Sequence, residues 1–310
     1  MSRRGVMLSA AFCATPIVAV TGAGAAPRVS APLPPLSSVV LAPSDFRPGA
    51  TVLSERNTAV SGFQTFMRVF KPGATFSGPP LLGAVSIALV APDATTAVFT
   101  FKGLEGAAQS VTGRNALAKQ WGTDFVRGAN VGTKGRLNLT VKNSVVGAPV
   151  EIGANALRLP LTLKTNLGTI RMSIELAQTD RIIGIVMLMG EFNQRLVPGD
   201  TAKALAAEER HLRDAFTITN TTAPTIAGTA AQGQMVTLDA GSWTGAPSTF
   251  TYAWSRCDAS GGNCVAIAGA TASSYTVTST DVGSTLRGTV TGANSVSSAG
   301  ATSTATAAVS

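Results

Sequence analysis

The chain has 310 residues, 45% of them hydrophobic and 5% aromatic, and a formal charge of +8 from 24 Lys and Arg against 16 Asp and Glu. That hydrophobic share excludes a disordered chain, and the length suits two domains of ordinary size. With so few aromatic rings, the cores must rest on Val, Leu, Ile and Ala.

At the start, Arg3 and Arg4, an apolar stretch over 5–20 and Ala23-Gly24-Ala25 have the form of a secretory signal, so residues 1–25 are expected to be cleaved from an exported protein. Pro16 and several Gly and Thr interrupt the stretch, whereas a spanning helix needs ~20 mostly apolar residues. Cys13 follows Phe12, where lipid attachment would require a small residue, so lipoprotein anchoring is not expected. No later segment is expected to cross a membrane. Residues 26–37, rich in proline, read as an extended leader.

Residues 38–217 read as an α+β domain. "DATTAVFTFKGLEG" sets Ala94, Ala97, Val98, Phe101 and Leu104 at helical spacing. Three stretches then alternate apolar and polar residues. They are Leu137, Leu139 and Val141; Leu157, Leu159, Leu161 and Leu163; and Ile170, Met172, Ile174 and Leu176. This pattern predicts an antiparallel meander with one dry face, against which the helices pack. "RIIGIVMLMG" is apolar at both parities and belongs where both faces are covered. "GDTAKALAAEERHLRDAF" predicts a second helix with Asp200 as N-cap and Leu205, Leu212 and Phe216 on one stripe. "RPGAT" at Arg47 and "KPGAT" at Lys71 are two turns of one kind rather than a repeat.

A linker over 218–223 precedes an all-β region, 224–310, in which short strand-like runs alternate with turn signals at the spacing of a sandwich. Cys257 and Cys264 flank "DASGGN", whose Ser-Gly-Gly suits a hairpin turn that brings two sulfurs together. A zinc site would need two further ligands, but the rest of the mature chain holds no cysteine and one histidine. The spacing is wrong for a CxxC redox pair. In an exported protein a disulfide is therefore expected, stabilising by about 2.5 kcal/mol in the chain-entropy model.

Two resemblances follow from these stretches. "GSWTG" around Trp243, "YAWSRCD" from Tyr252 with Cys264, "ATASSYTVTSTDVGSTLRGTVTGAN" from Ala270 and the Ala/Thr/Ser closing strand resemble the immunoglobulin-like modules of secreted actinobacterial proteins. The resemblance implies a β-sandwich of about seven strands with Trp254 in its core. It departs from antibody domains in lacking an inter-sheet cysteine pair and a tyrosine corner. "LAPSDFRPGA" and the helix "DTAKALAAEERHLRDAF" after a hydrophobic strand look like the PsbP-like fold of actinobacterial envelope lipoproteins and of kinase sensor domains. That likeness implies an exported ligand-binding or sensing module without chemistry of its own.

The charge is uneven. Residues 26–220 carry 20 Lys and Arg against 13 Asp and Glu, while residues 221–310 carry 2 against 3. A basic domain outside the cell favours anionic partners such as a cell-wall polymer or glycan. Without aromatic interleaving or a binding module, nucleic acid is not an expected partner. The wet face of the meander would gather Arg136, Lys142, Arg158, Lys164 and Arg171 with only Glu175 as counter-charge, which makes these five cations the candidate anion site. His211, the only histidine, together with Glu208 and Glu209, reads as solvated helix surface. No motif for nucleophilic, phosphate-cradling or dinucleotide chemistry is present. No catalytic residue, metal site or cofactor is expected. The leading expectation is a non-enzymatic exported envelope protein with a basic ligand-binding domain and an Ig-like adhesion or spacer module. A secreted glycan-active hydrolase carrying an accessory module is the alternative, because two carboxylates would suffice for it.

Overall fold

The structure is a computed structural model that describes residues 33–310, except 48–49, 61–62, 72, 77, 133–137 and 154. The expected signal, Cys13, most of the leader and Arg136 lie outside the described residues. The chain divides into two compact units, Pro35–Arg213 and Asp214–Ser310.

The first unit is built on one eight-stranded antiparallel sheet. Its strands are β1 (Val52–Val60), β2 (Phe63–Phe70), β3 (Gly83–Val90), β4 (Val141–Val146), β5 (Val150–Gly153), β6 (Ala156–Thr165), β7 (Gly168–Thr179) and β8 (Ile182–Met189). They lie in the order β1-β2-β3-β8-β7-β6-β4, and β5 pairs with the other end of β6. Between β3 and β4 run two helices, α1 (Ala94–Gln109) and α2 (Val111–Gly132). Asp93 caps α1 by accepting from Thr96 N–H at 2.7 Å. Ser110 turns the chain, its Oγ accepting from Gly113 N–H, while the Arg114 guanidinium donates to the Ala108 and Gln109 carbonyls. Ala97, Phe101 and Leu104 of α1 and Leu117, Trp121 and Phe125 of α2 form one core with Leu157, Leu159, Leu161 and Leu163 of β6 and Ile170, Met172, Ile174 and Leu176 of β7. The alternation in those two strands is thus the dry face that the sequence predicts.

The third helix, α3 (Pro198–Ala215), corrects one expectation. It packs on the opposite face, where Ala204 and Ala207 meet Val186 and Leu188 of β8 and Ala84 of β3. The cause lies in β8, which is buried along its whole length. A strand that is apolar at both parities requires cover on both sides, and two helices on one side leave the other face wet. The meander is corrected as well: Leu139 lies ahead of its first strand, which begins at Val141, and Leu137 is outside the described residues. Asn130 at the end of α2 holds Leu139 instead, through its N–H and its carbonyl, both at 2.8 Å.

The second unit contains β9 (Thr219–Thr222), β10 (Thr225–Ala227), β11 (Met235–Asp239), β12 (Ser242–Thr244), β13 (Thr249–Cys257), β14 (Val265–Ala266), β15 (Ser274–Thr276), β16 (Thr285–Ala293) and β17 (Ser298–Thr302). Two sheets, β10-β11-β15 and β14-β13-β16-β17, enclose Val236, Leu238, Trp254, Val277, Leu286 and Val290. Residues 218–223, expected as a linker, supply β9, which pairs with β12. Trp254 is fully buried and donates Nε1–H to the Ala272 carbonyl at 2.9 Å. Gly288 on β16 is bare because Leu238 of the facing sheet lies against it, and a Cβ there would come within 2.4 Å of that side chain. Cys257 and Cys264 form a disulfide. Inside its loop, Asp258 accepts from the Ser260 hydroxyl, Gly262 N–H, the Asn263 amide and Ser260 N–H, and these bonds hold its carboxyl down to about 2.

In place of an inter-sheet disulfide, the sandwich has a buried carboxylate. Asp281 accepts from Arg256 of β13 at 2.7 Å, from the Tyr275 hydroxyl of β15 at 2.8 Å and from Thr278 N–H at 2.7 Å, so it ties one sheet to the other. Burial alone would raise its pKa, but the hydrogen bonds from Thr278, Tyr275 and Arg256 outweigh burial and hold it below the usual carboxylate range. A carboxyl whose folded pKa is lowered stabilises fully above its unfolded value and loses that contribution as pH falls through its folded value. Asp281→Asn should therefore lower the stability of this unit by about 2 kcal/mol at neutral pH and flatten its acid-side decline, as read by denaturant unfolding of the whole chain across a pH series.

Candidate functional site

α3 shields only part of its face of the sheet. Over β6 and β7 that face carries Arg158, Pro160, Thr162 and Lys164, set opposite Glu175, Ser173, Arg171 and Thr169 respectively. The segment leading into α3 approaches from one side, and a cavity of about 390 Å³ remains between them. Arg158, Pro160, Thr162, Arg171, Ser173, Arg195, Leu196, Pro198 and Thr201 are among its lining residues, and among the described residues no carboxylate lines it. Three guanidinium groups therefore share one concavity.

Each arginine is held differently. Arg158 donates Nε–H to both oxygens of Glu175 at 2.9 Å, and the Ser173 hydroxyl donates to the same carboxylate at 2.6 Å. Glu175 is buried, and burial pushes its pKa up against the pull of Ser173 and Arg158. Its position under Arg158 fixes the guanidinium rather than presenting an acid to the cavity. Arg171 donates to the Gln194 carbonyl at 3.2 Å, which ties β7 to the segment before α3. Arg195, on that segment, is exposed. Such a trio suits planar or tetrahedral anions, which guanidinium groups grip in pairs of parallel hydrogen bonds.

Of the five cations singled out from the sequence, the structure brings Arg158 and Arg171 into this cavity. Lys164 shares their face but stands outside the lining, and Lys142 is exposed where a register shift between Val141 and Asn143 interrupts the pairing of β4 with β6. Arg136 is not among the described residues. Arg195 was not expected, because "EFNQRLVPG" has no periodicity. The one usable signal was its place just before the Pro-Gly start of a helix.

A second polar cluster, under α3, overturns the reading of Glu208 and His211 as solvated. Glu208 is buried and accepts from the Ser86 hydroxyl at 3.0 Å. Gly184 of β8 makes room for it, since a Cβ there would fall 2.7 Å from Glu208 Oε1. Ser86 Oγ in turn accepts from Leu41 N–H, and Arg68 donates to the Leu41 carbonyl at 2.8 Å. His211 Nε2 lies 2.8 Å from Asp45, whose carboxylate also takes Arg210 and Ala42 N–H. Burial raises the Asp45 pKa, but the His211 and Ala42 hydrogen bonds and the two cationic partners bring the balance below the usual range. These bonds strap residues 39–46, with Val39, Val40 and Leu41 fully buried, onto the sheet beside α3. The cluster is a structural brace: Ser86 is fully buried and bonded on both sides. Asp200, expected as the N-cap, lies inside the first turn of α3, and both carboxylate oxygens accept from Gly78 N–H.

Known proteins bear on the two units unequally. Residues 220–306 match the family model described as the AIR9 A9 domain, an Ig-like domain. The second unit is Ig-like. No curated protein matches the chain. Among solved structures, the crystal structure of the extracellular domain of PknH from Mycobacterium tuberculosis is similar over 57% of this chain and 94% of that one, at 10% identity and a TM-score of 0.30. A score that low decides neither fold nor ligand. Among the described residues, no helix is long and apolar enough to cross a membrane and no group of three or more His, Cys, Asp and Glu could hold a metal ion.

Burial pushes the Glu208 carboxyl up to about 8, with the Ser86 bond pulling down and the charge of Asp45 pushing further up. The folded protein keeps this proton while the unfolded chain loses it, so stability falls as pH rises from the ordinary glutamate value to about 8. Glu208→Gln, which mimics the protonated form, should exceed the wild type by about 4 kcal/mol at pH 8, and the gap should close below pH 4.5. Thermal unfolding of both proteins across that range measures it.

Proposed function

We propose that this chain is an exported cell-envelope protein whose α+β unit binds a small anionic group and whose Ig-like unit serves as a spacer or adhesion module. The observation that carries the reading is the cavity lined by Arg158, Arg171 and Arg195, with no carboxylate lining it among the described residues. Glu175 balances Arg158, but Arg171 and Arg195 add positive charge to the cavity that an entering anion would offset. A volume of about 390 Å³ accommodates a phosphate- or carboxylate-bearing unit, free or repeated along a wall polymer or glycan.

Export is supported by the form of residues 1–25 and by the Cys257–Cys264 disulfide, since such bonds persist in oxidising compartments. The binding role assigns no catalytic residue and needs no cofactor. The proposed division of labour places all the excess charge in the binding unit, and the Ig-like unit carries almost none.

Binding of the purified protein to cell-wall fractions over a salt series tests this reading. Arg171→Glu combined with Arg195→Glu should weaken binding about tenfold or more at low ionic strength and reduce its salt dependence. Arg158 is left in place because its removal would strand the buried Glu175 without its cationic partner. Unchanged affinity and unchanged salt dependence in the double variant would exclude the cavity as the binding site.

A further inference from the structure

The cavity does not end at its arginines. Along its outer margin β6 meets the sheet edge formed by β4 and β5, and the edge residues there are apolar. Val145 is set opposite Thr162 and Val150 opposite Arg158, so both valines share the face of the cavity. They are 50% and 47% exposed, although neighbouring Val146, which points to the other face, is buried. Between them the chain crosses Pro160, which is itself exposed. Gly147 N–H donates to the Pro160 carbonyl at 2.8 Å, and a Cβ on Gly147 would press within 2.8 Å of the Pro160 ring. Proline supplies no N–H to the ladder, which explains why the edge strand breaks into β4 and β5 at this point.

The result is an apolar strip, Val145–Pro160–Val150, about four residues or ~13 Å long. It runs along a pocket whose inner wall is cationic, with Leu196 and Pro198 adding apolar surface on the far side. A bare phosphate or sulfate has no use for such a strip, and a glycan would meet few hydrogen-bonding groups on it. An anion attached to a hydrocarbon chain satisfies both surfaces at once.

We infer that the ligand of this site is an anionic amphiphile, with its phosphate or carboxylate between Arg171 and Arg195 and its alkyl chain along Val145, Pro160 and Val150. The inference rests on the anion-binding reading above and narrows its ligand class. The charge complement argues for this occupant over a second copy of the chain, whose own first unit is basic.

The test is calorimetric titration of the full chain, at fixed ionic strength and below micelle formation, with inorganic phosphate, butyl phosphate, octyl phosphate and uncharged octyl glucoside. Affinity should rise about twofold per added methylene, hence about fifteenfold from butyl to octyl phosphate, because a chain on an open strip is half buried. Octyl glucoside should bind at least tenfold more weakly than octyl phosphate. In Val145→Thr/Val150→Thr, a near-isosteric pair that strands tolerate, the gain from butyl to octyl should fall below threefold while inorganic phosphate binds as in the wild type. A matching thermal midpoint shows that the variant is folded. If chain length has no effect in the wild type, or if the double variant keeps the full gain, the inference is overturned while anion binding stands. If no phosphate binds at all, the anion-binding reading falls and this one with it. A double variant whose only change is in sedimentation would mark the strip as a self-association surface and likewise overturn the assignment.

Discussion

Strands β3 and β8 at the centre of the large sheet are apolar on both faces, and the arrangement of the first unit follows from that. A two-sided strand cannot leave either face in water, so the chain must bring cover from two directions. The α1–α2 pair covers one face of β3, β8, β7 and β6. On the other, α3 and the strapped segment 39–46 reach across β2, β3 and β8 and stop there. Beyond that limit Ser173 and Glu175 of β7 are still buried, but Pro160 of β6 and Val145 and Val150 of the β4–β5 edge are exposed, and the alternating positions turn from Val and Leu to Arg, Ser, Thr and Pro. The cavity is the boundary between the part of this face that needed a helix and the part that did not.

Two buried carboxyls show how differently the molecule treats the same group. Glu175 lies under Arg158 with two guanidinium contacts and a serine hydroxyl, which anchors a cation at the cavity wall. Glu208 accepts from the Ser86 hydroxyl, has no cation bonded to it, and keeps its proton near neutrality. One buried acid holds a binding residue in place, and the other acts as a neutral hydrogen-bonding group under α3. In the Ig-like unit Asp281 is a third case, fully buried and ionised, joining two sheets that no disulfide spans.

Much of this was legible before any coordinates. The alternation of Leu157–Leu163 with Ile170–Leu176, the two-sided run at Ile182–Met189, the disulfide hairpin and Trp254 at the sandwich core each carry a local signal that survives packing. Helix α2 was hidden because Gly113, Gly122, Gly128 and Gly132 dilute its pattern, although Leu117, Trp121 and Phe125 recur every four residues. Glu208 looked exposed because charged residues usually are. Its burial depends on Gly184 and Ser86, more than twenty and more than a hundred residues away, making room together. The candidate site was half visible. Arg158 and Arg171 follow from strand parity, but Arg195 comes from an aperiodic segment, and Lys142 leaves the face through a register shift that a sequence does not announce.

The central claim is that the arginine-lined cavity over β6 and β7, beside the start of α3, is where an anion binds. Backbone amide shifts of isotope-labelled protein titrated with phosphate test it most directly. The account predicts saturable shifts concentrated at 158–162, 171–173 and 194–201, with the strapped segment and the Ig-like unit unmoved. Shifts centred elsewhere, or scattered over all exposed cations without saturation, would contradict it.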